Sequence, residues 1–256
     1  MTPQPIDRRH ALSLLGAAGA GAVVLAACGG SDDNASPRPT TTSTDAGRPS
    51  ATAVAAGTVT AGMFANASAC TVAPAATEGP YYIEVDKIRS DVREDREGTQ
   101  LRVAARVLGS DGCTPVKDAV FEIWHCDAEG RYSGFESAST GSDATTDTKR
   151  YLRGAQITNS DGIAEITTIY PGWYQGRTVH IHAKVFVSSR EVLTTQLYFD
   201  EELNRAVLAG APYNGRGERD ASNDGDSIFS DQTILTVSKD GDGYLGLINI
   251  GVEKQP

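Results

Sequence analysis

Residues 169–185 read IYPGWYQGRTVHIHAKV, a Pro-Gly turn followed by a run rich in β-branched residues that is typical of a β-strand. Alternate side chains of a strand lie on one face, so His180 and His182 project together while Ile181 points the other way. Only two further histidines occur in the chain. Imidazole is the commonest metal ligand in proteins, so this pair predicts half of a metal site on a rigid strand.

The sequence around this strand consists of short apolar runs separated by turn motifs. Turns recur at intervals of about 8 to 12 residues, which favours an antiparallel sandwich or barrel. Helical periodicity is scarce, and residues 200–208 are the best short candidate. We therefore expect an all-β fold, an antiparallel β-sandwich with few short helices. The predicted strands are 101–108, 119–124, 153–158, 163–169, 178–187, 193–199, 233–237 and 245–250.

Turn motifs also predict how some of these strands are joined. The sequence NSDG at 159–162 is expected to turn the strand 153–158 back into the strand 163–169. The sequence KDGDG at 239–243 is expected to join the last two strands as a hairpin. Residues 113–116 are expected to form a hairpin with 119–124.

The first 27 residues have the features of an export signal. Arg8 and Arg9 precede a modest apolar run that ends at Ala27, the pattern of a twin-arginine signal. The run is short and rich in Gly and Ala, so a permanent transmembrane helix is not expected. The sequence LAAC ending at Cys28 resembles a bacterial lipobox, which predicts lipid attachment to this sulfur. The alternative is ordinary signal cleavage that leaves Cys28 discarded or free.

Either form of processing predicts an exported protein, periplasmic, extracellular or held at the cell envelope as a lipoprotein through Cys28. Residues 28–65 are dominated by Ser, Thr, Pro, Ala and Gly, which bury too little apolar surface to offset the entropy of ordering. We therefore expect a disordered tether there and one folded domain over 66–256. The formal net charge is −10, which argues against nucleic-acid binding.

Cys70, Cys113 and Cys126 follow the predicted tether. In an oxidising compartment three thiols permit one disulfide and leave one cysteine over. A straight strand over 117–125 would span roughly 27 Å, which disfavours a pair between Cys113 and Cys126. The sequence leaves open whether Cys70 pairs with Cys113 or with Cys126.

Two tyrosines extend the metal-site prediction. Tyr174 lies six residues before His180, and Tyr132 follows a glycine far upstream. A phenolate is a hard anionic donor that favours Fe(III) over soft or divalent metals. Tyrosine has a pKa near 10, so its ionisation at neutral pH needs the charge of the metal. Two phenolates and two neutral imidazoles would leave a net charge of about +1 on a ferric ion.

These residues resemble the intradiol ring-cleavage dioxygenases, the protocatechuate and catechol ortho-cleaving enzymes, and especially their exported bacterial relatives. The resemblance covers about residues 70–199. Besides the NSDG turn it is carried by TEGPYY at 77–82, AVFEIWHCDAEGRYSGF at 119–135, TIYPGWYQGRTVHIH at 168–182 and TTQLYF at 194–199.

The resemblance implies a ferric ion, Fe(3+), held by Tyr132, Tyr174, His180 and His182. Tyr170 lies close enough in sequence to compete with Tyr174, but the spacing from the Pro-Gly turn favours Tyr174. The implied substrates are a catechol and O2. The implied reaction opens the aromatic ring between its two hydroxylated carbons to a muconate-type product.

Catalytic and substrate-binding roles are implied by the same resemblance. Tyr174 would leave the metal when the catechol binds and act as a base, and Arg177 would stabilise negative charge that develops on the substrate. The residues that the resemblance implies as substrate-binding are Gly79, Pro80, Arg177 and Gln196.

Two departures from the family limit what the resemblance implies. The cytoplasmic catechol enzymes carry an N-terminal helical dimerisation region, and here a signal and a tether take its place, so no oligomeric state is expected by analogy. The route from Tyr174 to His180 is also shorter than in those enzymes. This segment shapes the pocket, so the identity of the catechol is not transferred.

Two alternatives come from other classes of protein. His125 and Asp127 form an H-x-D pair, the start of a facial triad for an Fe(II) oxygenase completed by His180 or His182. That site would leave both tyrosines unexplained. The second alternative is an exported β-sandwich module that binds aromatic compounds without turnover, since a sandwich hosts many functions.

Overall fold

The computed structural model describes residues 57–67, 70–85, 87–135 and 148–253. The chain divides into two units, Met1–Ala53 and Val54–Pro256, and every described residue belongs to the second. The predicted signal peptide (1–27), Cys28 and the predicted tether up to residue 56 therefore lie outside the described residues.

The described residues form strands that assemble into two sheets. In the first sheet the order is β2-β1-β9-β8, with β5 also paired to β1, and β1 and β9 run parallel while the other pairs are antiparallel. The second sheet is antiparallel throughout, in the order β4-β3-β6-β7. The strands are β1 (Gln100–Gly109), β2 (Thr114–Pro115), β3 (Val120–Trp124), β4 (Arg153–Ile157), β5 (Ile163–Ile169), β6 (His180–Val187), β7 (Arg190–Tyr198), β8 (Thr236–Asp240) and β9 (Gly243–Val252).

The main hydrophobic core is built from the inward faces of both sheets. It follows the two-residue period of a strand, since alternate apolar residues of β1, β3, β6 and β9 are buried together. The predicted all-β sandwich is therefore confirmed. Representative core residues are Leu101, Val103, Phe121, Ile123, Ile181, Ala183, Val185, Ile248 and Ile250.

The predicted helix is also present, as α1 (Glu201–Leu208). The side chain of Asp200 caps it by accepting hydrogen bonds from the backbone N–H groups of Glu202 and Leu203. Within the described part of the chain, no helix has the length and apolar character needed to cross a membrane.

Two of the predicted hairpins are wrong, and the third is confirmed. Thr114–Pro115 pairs with β1 and not with β3, because a tight turn closes directly after β1, where Cys113 N donates to Gly109 O at 3.0 Å. β4 and β5 belong to different sheets, so the NSDG turn between them carries the chain from one sheet to the other. Turn residues reverse the chain, but they do not choose its pairing partner. The hairpin of β8 and β9 forms as predicted.

Part of the segment predicted as tether packs against the first sheet. Residues Ala61–Asn66 form a 3-10 helix, and Phe64 and Val59 are buried beside Leu245 and Leu247 of β9. Phe64 is a large apolar side chain whose burial contributes about 1.5–3 kcal/mol. That contribution favours a folded unit that begins before residue 66.

Among the cysteines that the structure describes, Cys70 and Cys113 form a disulfide, and their Cα atoms lie 5.7 Å apart. Cys126 is free and buried. The pairing that the sequence left open is thereby resolved, and the segment before β1 is tied to the β1–β2 turn.

Replacement of both bonded cysteines, Cys70→Ser with Cys113→Ser, is expected to lower the free energy of unfolding by about 2 to 3 kcal/mol, because the cross-link restricts the unfolded chain. Urea unfolding with and without a reductant measures this. The reductant should destabilise the parent protein and leave the double variant unchanged. An equal effect of reductant on both proteins would contradict the assignment.

Candidate metal centre

The two histidines of β6 lie on the outer face of the second sheet, opposite the core. Ile181 points into the core between them, as the alternation of a strand requires. In the sheet, Trp124 of β3 pairs with His182, and Tyr198 of β7 pairs with His180. Loops cover this face, so both imidazoles are buried.

Two loops bring the tyrosines to the histidines. Tyr132 follows a tight turn after β3, where the carboxylate of Asp127 accepts hydrogen bonds from the backbone N–H groups of Glu129 and Arg131. Tyr174 opens the turn that precedes β6, closed by Arg177 N donating to Tyr174 O at 3.2 Å. The two turns contact each other, since Gly172 N donates to Asp127 O at 3.1 Å.

The four predicted ligand side chains converge on this face. The phenol oxygen of Tyr174 lies 3.1 Å from Nε2 of His180, which lies 3.1 Å from Nε2 of His182. That Nε2 in turn lies 3.1 Å from the phenol oxygen of Tyr132. Donor atoms that bind one metal ion at about 2 Å lie roughly 3 Å from each other. The spacing therefore fits a single metal ion.

Hydrogen bonding and stacking orient the imidazoles. Nδ1 of His180 donates to the carbonyl oxygen of Thr178 at 2.6 Å, which leaves the lone pair of Nε2 directed at the cluster. The ring of His182 stacks on the indole of Trp124, with centroids 4.9 Å apart and planes within 8°. Burial lowers the pKa of His180 to about 3, helped by the charge of Arg177, and burial also lowers the pKa of His182. Both imidazoles are therefore neutral near pH 7, the form in which histidine can bind a metal.

The pKa values of the two phenols shift upward, whereas those of the imidazoles shift downward. Burial raises the pKa of Tyr132 well above its ordinary value, and the neighbouring Tyr174 adds to this effect. Burial also raises the pKa of Tyr174 to about 12, against the opposing charge of Arg177. Both are neutral until a cation of high charge stabilises the phenolates, which is the behaviour expected of ligands for a hard ion such as Fe(III).

The competing tyrosine, Tyr170, lies in the main core and away from this cluster. Its hydroxyl donates to Asn204 Oδ1 at 2.7 Å, and its ring packs against Phe199. Asn204 and Phe199 are themselves buried, so the Tyr170 side chain lies in the interior of the sandwich. Tyr174 is therefore the tyrosine of this segment that reaches the histidines.

The alternative Fe(II) site is not assembled. The ring nitrogens of His125 are both occupied, Nδ1 by the carbonyl oxygen of Cys126 at 2.8 Å and Nε2 by Thr168 Oγ1 at 2.7 Å. Asp127 is used by the turn before Tyr132. No group of three or more His, Cys, Asp and Glu side chains in the described ranges is arranged to hold a metal ion.

Arg177 and Gln196 lie at one side of the cluster. Nη1 of Arg177 is 3.4 Å from the phenol oxygen of Tyr174 and 3.5 Å from Nε2 of His180. Nη2 of Arg177 donates to Oε1 of Gln196, whose Nε2 donates to the carbonyl oxygen of Thr77 at 2.9 Å. Gln196 is fully buried. Because its amide bonds to both groups, it links Arg177 to the loop at residue 77.

The loop that contains Gly79 and Pro80 covers the other side. A Cβ added at Gly79 would lie 3.2 Å from Cε1 of His182, so the loop backbone approaches the imidazole closely. Pro80 is exposed at the rim. The next residue, Tyr81, is buried with its ring stacked on Tyr132, centroids 4.6 Å apart. These contacts close the cluster against solvent.

The family model described as Dioxygenase matches residues 77–212, more than half of the chain. An intradiol ring-cleavage dioxygenase of Tetranychus urticae has a similar structure, with 33% identity and a TM-score of 0.68 over 72% of this chain and 95% of that one. The chain belongs to the intradiol ring-cleavage dioxygenase family.

Curated members of the family match a smaller part of the chain. Catechol 1,2-dioxygenase 1 of Acinetobacter lwoffii is 32% identical over 148 residues, 48% of this chain and 45% of that protein. A chlorocatechol 1,2-dioxygenase of Cupriavidus pinatubonensis is 29% identical over 49% of this chain and 54% of that protein. The chain therefore spans about half the length of the curated relatives it matches.

The structure places further residues at this site that the sequence did not single out. Tyr81 and Trp124 stack on predicted ligands, and both lie inside motifs that carry the family resemblance. Arg153 is buried with its guanidinium 5.7 Å from the ring centre of Tyr132, and it donates to the backbone and side chain of Ser133. Asp226, beyond the matched residues, contacts Arg177 and had no sequence signal.

Proposed function

We propose that this chain is a non-haem Fe(III)-dependent dioxygenase that cleaves a catecholic ring between its two hydroxylated carbons, using O2, to a muconate-type product. The observation that carries the proposal is the convergence of two phenol oxygens and two imidazole nitrogens at separations of 3.1 Å. Membership of the family supports the reaction class. The named substrates of the relatives, catechol and chlorocatechol, support the substrate class.

In this proposal Tyr132, Tyr174, His180 and His182 hold the metal. When bound, ferric iron supplies a Lewis acid that draws electron density from a catecholate and makes its ring carbons reactive toward O2. The four side chains provide two negative charges and two neutral donors in a site closed by Tyr81. Burial of the site keeps water from competing with the substrate.

Tyr174 is the tyrosine suited to accept a proton from the catechol. Its side chain is 8% exposed, compared with 1% for Tyr132, and the Arg177 guanidinium lies beside its oxygen. An outward movement of the Tyr174 ring would open room for a catechol oxygen, and the proton of the catechol hydroxyl would pass to the Tyr174 phenolate and leave a neutral phenol. Arg177 then faces the position where negative charge develops on the substrate.

The proposed setting of this enzyme is outside the cytoplasm. We propose residues 1–27 as a cleaved signal and Cys28 as the lipidated first residue, followed by a catalytic domain that begins before residue 66 and includes the buried Phe64. The Cys70–Cys113 disulfide supports an oxidising compartment. Mass spectrometry of the N-terminal peptide from a membrane fraction tests this, and a mature chain that begins elsewhere would contradict the lipid anchor.

Visible absorption of the iron-loaded full chain tests the function. A broad phenolate-to-iron charge-transfer band is expected, and it should shift when catechol is added without O2. Admission of O2 should then produce the ultraviolet absorption of a muconate. Resorcinol is the matched control, because its 1,3-hydroxyls cannot chelate one ion. Addition of resorcinol should therefore leave the charge-transfer band unchanged.

The possible outcomes separate the candidate functions. A coloured protein that shifts with catechol but yields no product would favour the binding module without turnover. A colourless protein that contains iron would contradict the tyrosine ligands. A protein that takes up no iron would contradict the proposal altogether.

A further inference from the structure

A segment beyond the matched family residues holds the turn that carries Tyr174 and Arg177. We name residues 216–228 the C-terminal strap. The carboxylate of Asp220 accepts from Gly176 N at 3.1 Å, and Asn223 Oδ1 accepts from Thr178 Oγ1 at 2.7 Å. Arg216 donates to the carbonyl oxygen of Trp173. The strap therefore contacts the turn along its whole length, from residue 173 to residue 178.

Asp226 is the strap residue that reaches Arg177. Its Oδ2 accepts from Nε of Arg177 at 2.8 Å and from the backbone N–H of Thr178 at 3.0 Å. Its Oδ1 accepts from Ile228 N at 2.9 Å. The Asp226 side chain is 1% exposed and that of Arg177 is 14% exposed. A charge-assisted hydrogen bond in such surroundings is stronger than one between neutral groups.

A second contact completes the restraint of the guanidinium. Oε1 of Gln196 accepts from Nη2 of Arg177 and also from the hydroxyl of Tyr198. With Nε and Nη2 both bound, the plane of the guanidinium cannot turn. Its remaining nitrogen, Nη1, is the one that faces Tyr174 and His180.

We propose that Asp226 is a positioning residue that fixes the direction of Arg177 toward the reacting substrate. This inference rests on the proposed function. Arg177 acts on charge that develops during the reaction, so a misdirected guanidinium lowers kcat more than it raises KM. Misplacement of a positioned group by about 1 Å lowers a rate by about 100-fold.

The test compares Asp226→Asn with Asp224→Asn, an exposed carboxylate of the same strap. We expect kcat on catechol to fall about 10- to 100-fold in Asp226→Asn, with little change in KM and an unchanged charge-transfer band. Asp224→Asn should match the parent protein. Equal kinetics in the two variants would overturn the proposal.

A double-mutant cycle separates positioning from general support of the fold. In an Arg177→Gln background, Asp226→Asn should lower kcat by less than twofold further, because the group it positions is gone. A full additional loss would show that Asp226 acts through the structure alone. Should Asp226→Asn not fold, Arg177→Lys tests the pair, since lysine keeps the charge but has no Nε–H group. Parent-like kcat in Arg177→Lys would overturn the proposal.

A measurement without turnover keeps this inference separate from the proposed function. In the metal-free full chain, the Nε–H proton of Arg177 should give a slowly exchanging nuclear magnetic resonance signal that Asp226→Asn abolishes. A rapidly exchanging signal in the parent protein would overturn the pairing. An inactive parent protein that keeps the slow signal would instead contradict the ring-cleavage function and leave the pairing intact.

Discussion

Replacement of Tyr132 by phenylalanine is expected to abolish the charge-transfer band and to lower catechol cleavage by roughly 1,000-fold or more, about 4 kcal/mol of transition-state stabilisation. Tyr132 is 1% exposed, and its phenol oxygen lies 3.1 Å from Nε2 of His182, so the substitution removes one donor oxygen from the cluster. The variant would also lose one of the two negative charges that a ferric ion requires from the protein.

Absorption, iron content and oxygen uptake measured on the same samples test this expectation. Tyr170→Phe is the matched control, because Tyr170 is equally buried but bonds to Asn204 in the core. It should keep the colour and the activity and lose about 1 kcal/mol of stability. A Tyr132→Phe protein with the full band, or a colourless Tyr170→Phe protein, would contradict the ligand assignment.

Gly130→Ala is expected to lower the free energy of unfolding by about 4 kcal/mol, the sum of left-handed backbone strain and steric overlap. Gly130 has φ +78°, and an added Cβ would lie well inside van der Waals distance of the carbonyl oxygen of Trp173. That oxygen belongs to the turn before Tyr174, and Gly130 to the turn before Tyr132. The methyl group would therefore push apart the two loops that supply the phenols, so weaker iron binding should accompany the loss of stability.

Gly176→Ala is the control for this stability measurement. Gly176 has the same φ of +78°, but a Cβ there would meet no atom within 4 Å. It should lose only about 1 kcal/mol, the cost of the left-handed conformation. Urea unfolding gives the free energy of unfolding of each variant, and the difference between the two losses measures the cost of steric overlap beyond that of backbone strain. Similar losses in both would mean that the loops move apart at little cost.

Much of the architecture follows from local patterns that physical chemistry ties to structure. Short apolar runs separated by turn motifs predicted the strands, and the geometry of a strand places alternate side chains on one face. The same alternation placed His180 and His182 on one face. Pairing partners were not predictable in this way: the NSDG turn reads as a hairpin, yet β4 and β5 join different sheets.

At the site, too, local sequence identified residues but not all of their contacts. The motif residues Tyr132 and Tyr174 could be named from sequence, since their donor chemistry and the family resemblance agree. Phe64 was assigned to a tether because composition averages over a segment, whereas one large side chain packed against β9 is enough to anchor it. The disulfide partner of Cys70 stayed open because loop closure leaves no local signal.

The amino-acid order alone specifies the strand periodicity, the same-face histidine pair and the hard donor set, since each depends on neighbouring residues or on side-chain chemistry. Tertiary packing decides which groups reach the cluster. It directs Tyr170 into the core, occupies both nitrogens of His125, and brings Asp226 from 49 positions away to Arg177. These outcomes depend on contacts between segments far apart in the chain. Burial also sets the protonation states at the cluster. The low-dielectric surroundings keep the imidazoles neutral and hold the phenols protonated until a cation of high charge binds.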